Sequence, residues 1–252
     1  MKKVLLAILL LVVTSVAYIS CTKEQSEEQQ SITGRDVIPL ADYGFYHNEA
    51  LALYYKNQNG VNQKTTNIII DEMTADLTAK YPEKFKNVDV SDIKEAFKDI
   101  DPRNFDIALF WNSKKEELYR SNKLSRKLGS FVDAILKKDM EYDQYVVEIE
   151  NFKKSNSLNL EEQNKLVVFE SVLKSSNEYW SSTHNSTNKS NSKPGSKVIV
   201  ADTLGALIFA YSGPGAIIAG GISSLFVNEA LPPYEVAPLE PENPEILTPT
   251  IE

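Results

Sequence analysis

Residues 203–227 read TLGALIFAYSGPGAIIAGGISSLFV, twenty-five positions without a charged side chain. Gly213, Pro214 and Gly215 divide the stretch: proline removes a backbone donor and glycine loosens the chain. The sequence therefore predicts two short apolar helices joined by a turn. Each half has the length of a buried core helix and falls short of the ~20 apolar residues of a bilayer span. Ala201, Gly205, Ala206, Ala210, Ala216, Ala219, Gly220, Ser223 and Ser224 are small, several at four-residue spacing, which lets helix backbones approach closely in membranes and cores alike. Three readings fit: a buried hairpin at the centre of a domain, a membrane-inserting or pore-forming element, and a self-association surface. The first would set the remaining helices around the hairpin.

On the N-terminal side of this stretch the chain reads as helix after helix. Asp42 is placed to cap a helix running to about Asn57, with Tyr43, Tyr46, Ala50, Leu53 and Tyr54 on one face and Gly60 closing it. Thr65 or Thr66 starts the next, with Ile69, Met73 and Leu77 at four-residue spacing and Pro82 ending it. Asp92 with Glu95, and Ser113 with Glu116, have the spacing of capping boxes. The second opens a long stretch through Leu118, Leu124, Leu128, Phe131, Ile135 and Leu136, interrupted by Gly129 at about 1 kcal/mol relative to alanine. Tyr142 to Phe152 repeats the pattern. Asn159 and Glu162 cap the clearest helix, whose face is Leu166, Phe169, Leu173 and Trp180. Val198 to Val200 could be extended or could begin a buried helix. No strand pattern of comparable length exists, so the expectation is an all-α bundle of six to eight helices around the small-residue hairpin.

The ends differ in composition. Lys2 and Lys3 precede an apolar run over residues 4–13, and Ser20 stands before Cys21, the sole cysteine. This is the pattern of a cleaved export signal over residues 1–20. The placement of the cysteine resembles the lipobox of bacterial lipoproteins, although Tyr18 stands where those signals usually carry Leu or another aliphatic residue. The resemblance implies that Cys21 carries lipid and anchors the chain to a membrane, several acyl chains sufficing where one is marginal. With no second cysteine, no internal disulfide forms and stability must come from packing. Lys23 and Glu24 with the following acidic run resemble the surface-export signal of Bacteroidetes lipoproteins, which implies an outer-membrane, outward-facing address. In general texture the whole resembles helical lipoproteins of that group, and residues 203–227 are similar in composition to the glycine-rich helices of two-peptide bacteriocins.

The expected organisation is a signal peptide over 1–20, a lipidated disordered tether over 21–35, one helical domain over 36–230 and a Pro/Glu-rich disordered tail over 231–252. Within the domain, the Ser-, Asn- and Thr-rich residues 181–196 read as a mobile loop. Asn185-Ser186-Thr187 there matches a glycosylation sequon. Removal of residues 1–20 takes away Lys2 and Lys3 and no acid, so 27 basic residues become 25 against 35 acidic ones, a balance of −10. That balance argues against nucleic acid as a partner, since phosphate binding needs clustered Lys and Arg.

Candidates for chemistry are few. No cofactor fingerprint and no Gly-x-Ser-x-Gly elbow occurs, and neither a catalytic residue, a cofactor nor a metal is expected. His184 lies in the polar segment and is assigned no role. His47 lies on the first helix with Leu51 one turn on, so no second ligand stands at the spacing of a helical metal pair; a metal would need Asp202 or Glu170 from elsewhere. Asp202 reads either as the N-cap of a helix starting at Thr203 or as a buried carboxylate paired with a histidine or tyrosine. A polar group beside apolar faces needs partners, so His47, Asn48 and Asp202 are expected to meet and join the first helix to the hairpin. Trp180 either completes the core face or, with Tyr179 and Glu178, offers an aromatic surface to a glycan. His47, Asn48, Trp180 and Asp202 are thus the candidate ligand-binding residues. The expected function is a membrane-anchored binding module for a protein or glycan. The alternatives are an antagonistic or immunity protein with a membrane-inserting hairpin, and a hydrolase using His47 with an acid.

Overall fold

In the computed structural model the described residues are 38–57, 64–138, 140–186 and 196–230, excepting the side chains at 183–186, 229 and 230. The expected export leader, Cys21, the expected tether, Gly60, residues 187–195 and the expected tail lie outside them, as do the side chains of His184 and Asn185. The described residues form ten helices and no strand, an all-α fold. They are α1 (Tyr43–Asn57), α2 (Thr66–Lys80), α3 (Pro82–Phe85), α4 (Ser91–Phe97), α5 (Ile107–Arg120), α6 (Arg126–Leu136), α7 (Tyr142–Ser155), α8 (Leu160–Ser186), α9 (Ser196–Ile208) and α10 (Gly215–Ala230). None of the described helices is long and apolar enough to cross a membrane.

Ten exceeds the six to eight helices counted from periodicity for two local reasons. Pro82, expected only to end α2, opens the one-turn α3, because a proline at the first helical position gives up a donor that would be unpaired anyway. The stretch expected as one helix from Ser113 is two. The first begins earlier, at the Asp106 cap, whose carboxylate accepts from the backbone N–H of Ala108 and Leu109 at 2.8 and 2.9 Å. Ser113 lies inside it and bonds the Phe110 carbonyl. The break falls at Ser121–Ser125, where Asn122 takes a left-handed backbone (φ 54°), and Ser125 caps α6. Gly129 does not interrupt α6, and the Tyr119 ring packs where its side chain would be: a Cβ there would lie 1.7 Å from the Tyr119 hydroxyl, which would have to move aside.

Two other expected caps differ in outcome. Asp92 sits in the first turn of α4 and turns outward to Lys123 and Tyr211 instead of capping. Asn159 and Glu162 do exchange side-chain-to-backbone bonds, both at 2.9 Å, and α8 carries Leu166, Phe169, Leu173 and Trp180 inward. The segment 181–196 is not one loop: α8 runs on to Ser186, and Ser196 opens α9.

The hairpin α9–α10 is the centre around which the rest is arranged. All positions 198–209 and 215–227 are buried, so residues 198–200 begin a buried helix and the 203–227 stretch is core. The turn between the arms passes through Gly213 at φ 62° and ψ −129°, a conformation open to glycine. The arms touch through their small residues: a Cβ on Gly205 would come within 2.7 Å of the Ala219 carbonyl and 2.4 Å of Ser223 Oγ. Helices α1 and α8 flank the hairpin and approach each other as closely, since a Cβ on Gly44 would lie 2.1 Å from the Ser171 carbonyl. Against both arms, Phe97 stacks on Phe110 at 4.6 Å, with the rings of Phe105, Phe209 and Phe226 around it.

Candidate functional site

Helix α1 turns Tyr43, Gly44, His47, Ala50, Leu51 and Tyr54 inward. The helical repeat therefore sets an imidazole, that of His47, in a core position among apolar and tyrosine side chains. Helix α8 brings Ser176 and Trp180, one turn apart on the face already formed by Leu166, Phe169 and Leu173. Helix α9 brings Asp202 from its middle, six residues past its start at Ser196. Asp202 is thus no N-cap; it is the buried carboxylate of the alternative reading.

These side chains meet. His47 Nε2 lies 2.9 Å from Asp202 Oδ1, both fully buried. The contact departs from the in-line geometry of an ideal hydrogen bond, and no other described group bonds either atom. Asp202 Oδ2 accepts from Trp180 Nε1 at 2.9 Å and from the Ser176 hydroxyl. His47 Nδ1 faces Asn48 Oδ1 at 3.1 Å, and Asn48 Nδ2 donates to the Ser175 carbonyl at 2.7 Å. Gly220 of α10 closes the cluster; a Cβ there would lie 3.2 Å from His47 Cδ2 and 2.9 Å from the Asp202 carbonyl. Four helices share one polar node.

The arrangement of oxygens around the ring favours the charged imidazole. The Asn48 amide spends its N–H on a carbonyl, so its oxygen faces the ring. Both imidazole nitrogens therefore face oxygens, an arrangement that the doubly protonated ring opposite a carboxylate satisfies. Burial by itself would pull the His47 imidazole down, but the Asp202 carboxylate, by its charge and its contact, and the Asn48 oxygen more than offset it. The net effect holds the ring above its ordinary value. Burial pushes the Tyr179 hydroxyl up to about 12, helped by the Asp202 charge, and raises Tyr55 for the same reasons.

His47, Asn48 and Asp202 meet as expected, joined by Trp180. Of the four candidate ligand-binding residues, His47 and Asp202 are fully buried and Trp180 is 4% exposed, with its one polar atom spent on Asp202, while Asn48 is half-buried. In this conformation the contacts of His47, Trp180 and Asp202 hold helices together. Ser176 and Gly220 were missed. The available signal for Ser176 was a serine on the apolar face of α8, one turn before Trp180. Glu170 stays at the surface with Lys153, 2.5 Å away. Among the described residues no three His, Cys, Asp or Glu side chains are grouped to hold a metal.

Chemically, the order of partners matters. A nucleophilic serine needs the imidazole between itself and the acid. Here the carboxylate stands between Ser176 and His47, so the hydroxyl is held by an acceptor and is not given a base. The cluster holds a proton and a buried ion pair.

No protein-family model, curated protein or solved structure matches the chain.

Proposed function

We propose that the chain is a lipoprotein, held through lipid on Cys21 to the outer membrane and facing outward, whose helical domain is a binding module for a protein or glycan. The observation that carries this reading is the sole cysteine, set directly behind a basic and then apolar leader. The fold supports it: the most apolar stretch of the domain is spent as core, which leaves attachment to Cys21. The binding part draws on a surface cluster of rings. Phe45, 53% exposed, lies edge-on to Tyr46 at 5.1 Å and Tyr81 at 6.3 Å. Beside them Glu49 accepts from the Tyr81 hydroxyl at 2.7 Å and pairs with Lys80. Exposed rings with adjacent polar groups suit a sugar face or a peptide.

The test is metabolic labelling with an alkyne fatty acid, followed by fractionation. Wild type is expected to carry label and to sediment with membranes, and Cys21→Ala to lose both. Added protease should degrade the wild-type domain on intact cells. A Cys21→Ala protein that stays labelled and membrane-bound would refute the anchor.

One observation favours a second reading, a hairpin that enters membranes: residues 203–227 carry no charge, and the arms already pack on each other through small residues. Against it, arms of 13 and 16 residues reach roughly 20 and 24 Å at ~1.5 Å per residue, short of the ~30 Å hydrocarbon core. Dye release from liposomes by the purified protein would support that reading.

A further inference from the structure

The buried donors that α1 and α8 direct at α9 converge on a single carboxylate. His47 arrives from α1, Ser176 and Trp180 arrive from α8, and all three end on Asp202. Between Lys197 and Glu229 it is the one charged residue in the hairpin sequence. Inside the hairpin the contacts are of another kind. Gly205 lies against Ala219 and Ser223, and Gly220 against Ala206 and the Asp202 carbonyl. These are close packings of small groups that do not titrate. The hairpin is thus a unit cemented internally by shape; at its turn Tyr211 bonds Asp92 at the surface, and inside the core it is fastened to α1 and α8 at one ionisable point.

We infer that this point is a latch: Asp202 fastens the α9–α10 hairpin to α1 and α8 only while His47 carries its second proton, and the hairpin loosens as pH rises.

The physical reason is the pair of acceptors facing the ring. A neutral imidazole has one N–H, so on losing a proton His47 leaves either Asn48 Oδ1 or Asp202 Oδ1 unmatched. The carboxylate then stands in a fully buried place without a counter-ion, which is the costly condition for a buried pair. Nothing else nearby answers in its place. The titratable groups that feel the Asp202 charge are Tyr55 of α1 and Tyr179 of α8, phenols that burial raises above their ordinary value, far above that of a histidine. Gly220, which α10 places against the ring, has no side chain to titrate, and no lysine or arginine acts on the ring. Since burial between opposing acceptors holds the His47 proton more tightly than the unfolded chain does, the stabilisation is whole below about pH 6.5 and is lost as pH climbs through the raised value.

The experiment uses the full-length chain in detergent, comparing amide hydrogen exchange, corrected for base catalysis, between about pH 6 and about pH 9. The His47 ring proton is followed by NMR over the same range; His184 is the only other histidine. The expected result is that protection in residues 198–208 and 215–227 falls by up to about tenfold per pH unit through the His47 transition, while α6 is unchanged. In His47→Gln/Asp202→Asn, a neutral pair of similar shape, protection should be flat with pH. The inference is overturned if wild-type protection stays flat while His47 titrates, if α6 loosens equally, or if His47 titrates at or below its ordinary value. Those wild-type outcomes decide the matter even if the double variant does not fold.

Discussion

Two ion pairs of nearly equal length differ sharply in solvent contact. His47 and Asp202 approach to 2.9 Å with both side chains fully buried. Lys123 and Asp92 approach to 2.7 Å with 34% and 53% of their side chains exposed. The surface pair is also dressed: the Lys123 ammonium sits 4.2 Å from the centre of the Tyr211 ring, and the Tyr211 hydroxyl donates to Asp92 at 3.1 Å. Distance alone is therefore a poor guide to what a pair does. Water can replace either partner of the surface pair. At the buried node each partner is the other's solvent, so loss of one leaves a charge stranded.

The largest effect should come from removing one buried partner. Asp202→Ala strands the His47 ring and frees the Ser176 and Trp180 donors. We expect a loss of about 3–5 kcal/mol, read as a drop in Tm of roughly 6–20 °C for a domain of this size. His47→Ala should cost a similar amount, and the double variant less than the sum by about 1 kcal/mol or more, since residues in contact couple. Additive losses in thermal or urea unfolding would mean that the two side chains act independently, and the node would lose its standing as a pair.

A smaller effect should come from moving the node without touching its charges. Gly44 lets α1 lie against α8, where its backbone N–H donates to Ser171 Oγ at 2.9 Å. Gly44→Ala would push a methyl to 2.1 Å from the Ser171 carbonyl, so the helices must separate, carrying His47 and Asn48 away from Asp202 and Ser175. Overpacking of this kind costs about 1–3 kcal/mol. The expected signature is a destabilisation that shrinks when His47 is already alanine. A full, undiminished loss in that background would show that Gly44 serves only the contact between α1 and α8.

How much of this was legible depends on which residues signal by type and which by place. The hairpin was legible because a charge-free run broken by Gly-Pro-Gly leaves few alternatives. The meeting of His47, Asn48 and Asp202 was legible because polar groups on apolar faces must find one another. Ser176 was not, since a serine is common on any helix and its hydroxyl acquires meaning only from the carboxylate opposite. The single helix expected from Ser113 failed because Asp106 supplies a better cap upstream, and because the break at Asn122 depends on a left-handed residue that no periodicity reveals. Burial decided the rest: the composition of residues 203–227 suits a membrane as well as a core, and only the surrounding helices distinguish the two.

The smallest effect lies at the surface pair, and there the sign with pH is the informative part. Lys123→Ala removes the ammonium from Asp92 and from the Tyr211 ring but leaves the Lys123 carbonyl that accepts from Lys165 Nζ at 2.6 Å. We expect about 0.2–1 kcal/mol, less at high salt. The Lys123 ammonium, with help from the Tyr211 hydroxyl, holds the Asp92 carboxyl below the ordinary carboxylate range. What the pair contributes is therefore present above that ordinary range and is lost as pH falls through the lowered value. The buried node behaves in the opposite sense, weakening as pH rises. Urea unfolding of Lys123→Ala and His47→Gln across pH should thus give differences from wild type that converge at opposite ends of the scale: in acid for the surface pair, in alkali for the buried one. If Lys123→Ala cost as much as Asp202→Ala, exposure would have failed to separate the two pairs, and the contrast between them would fall with it.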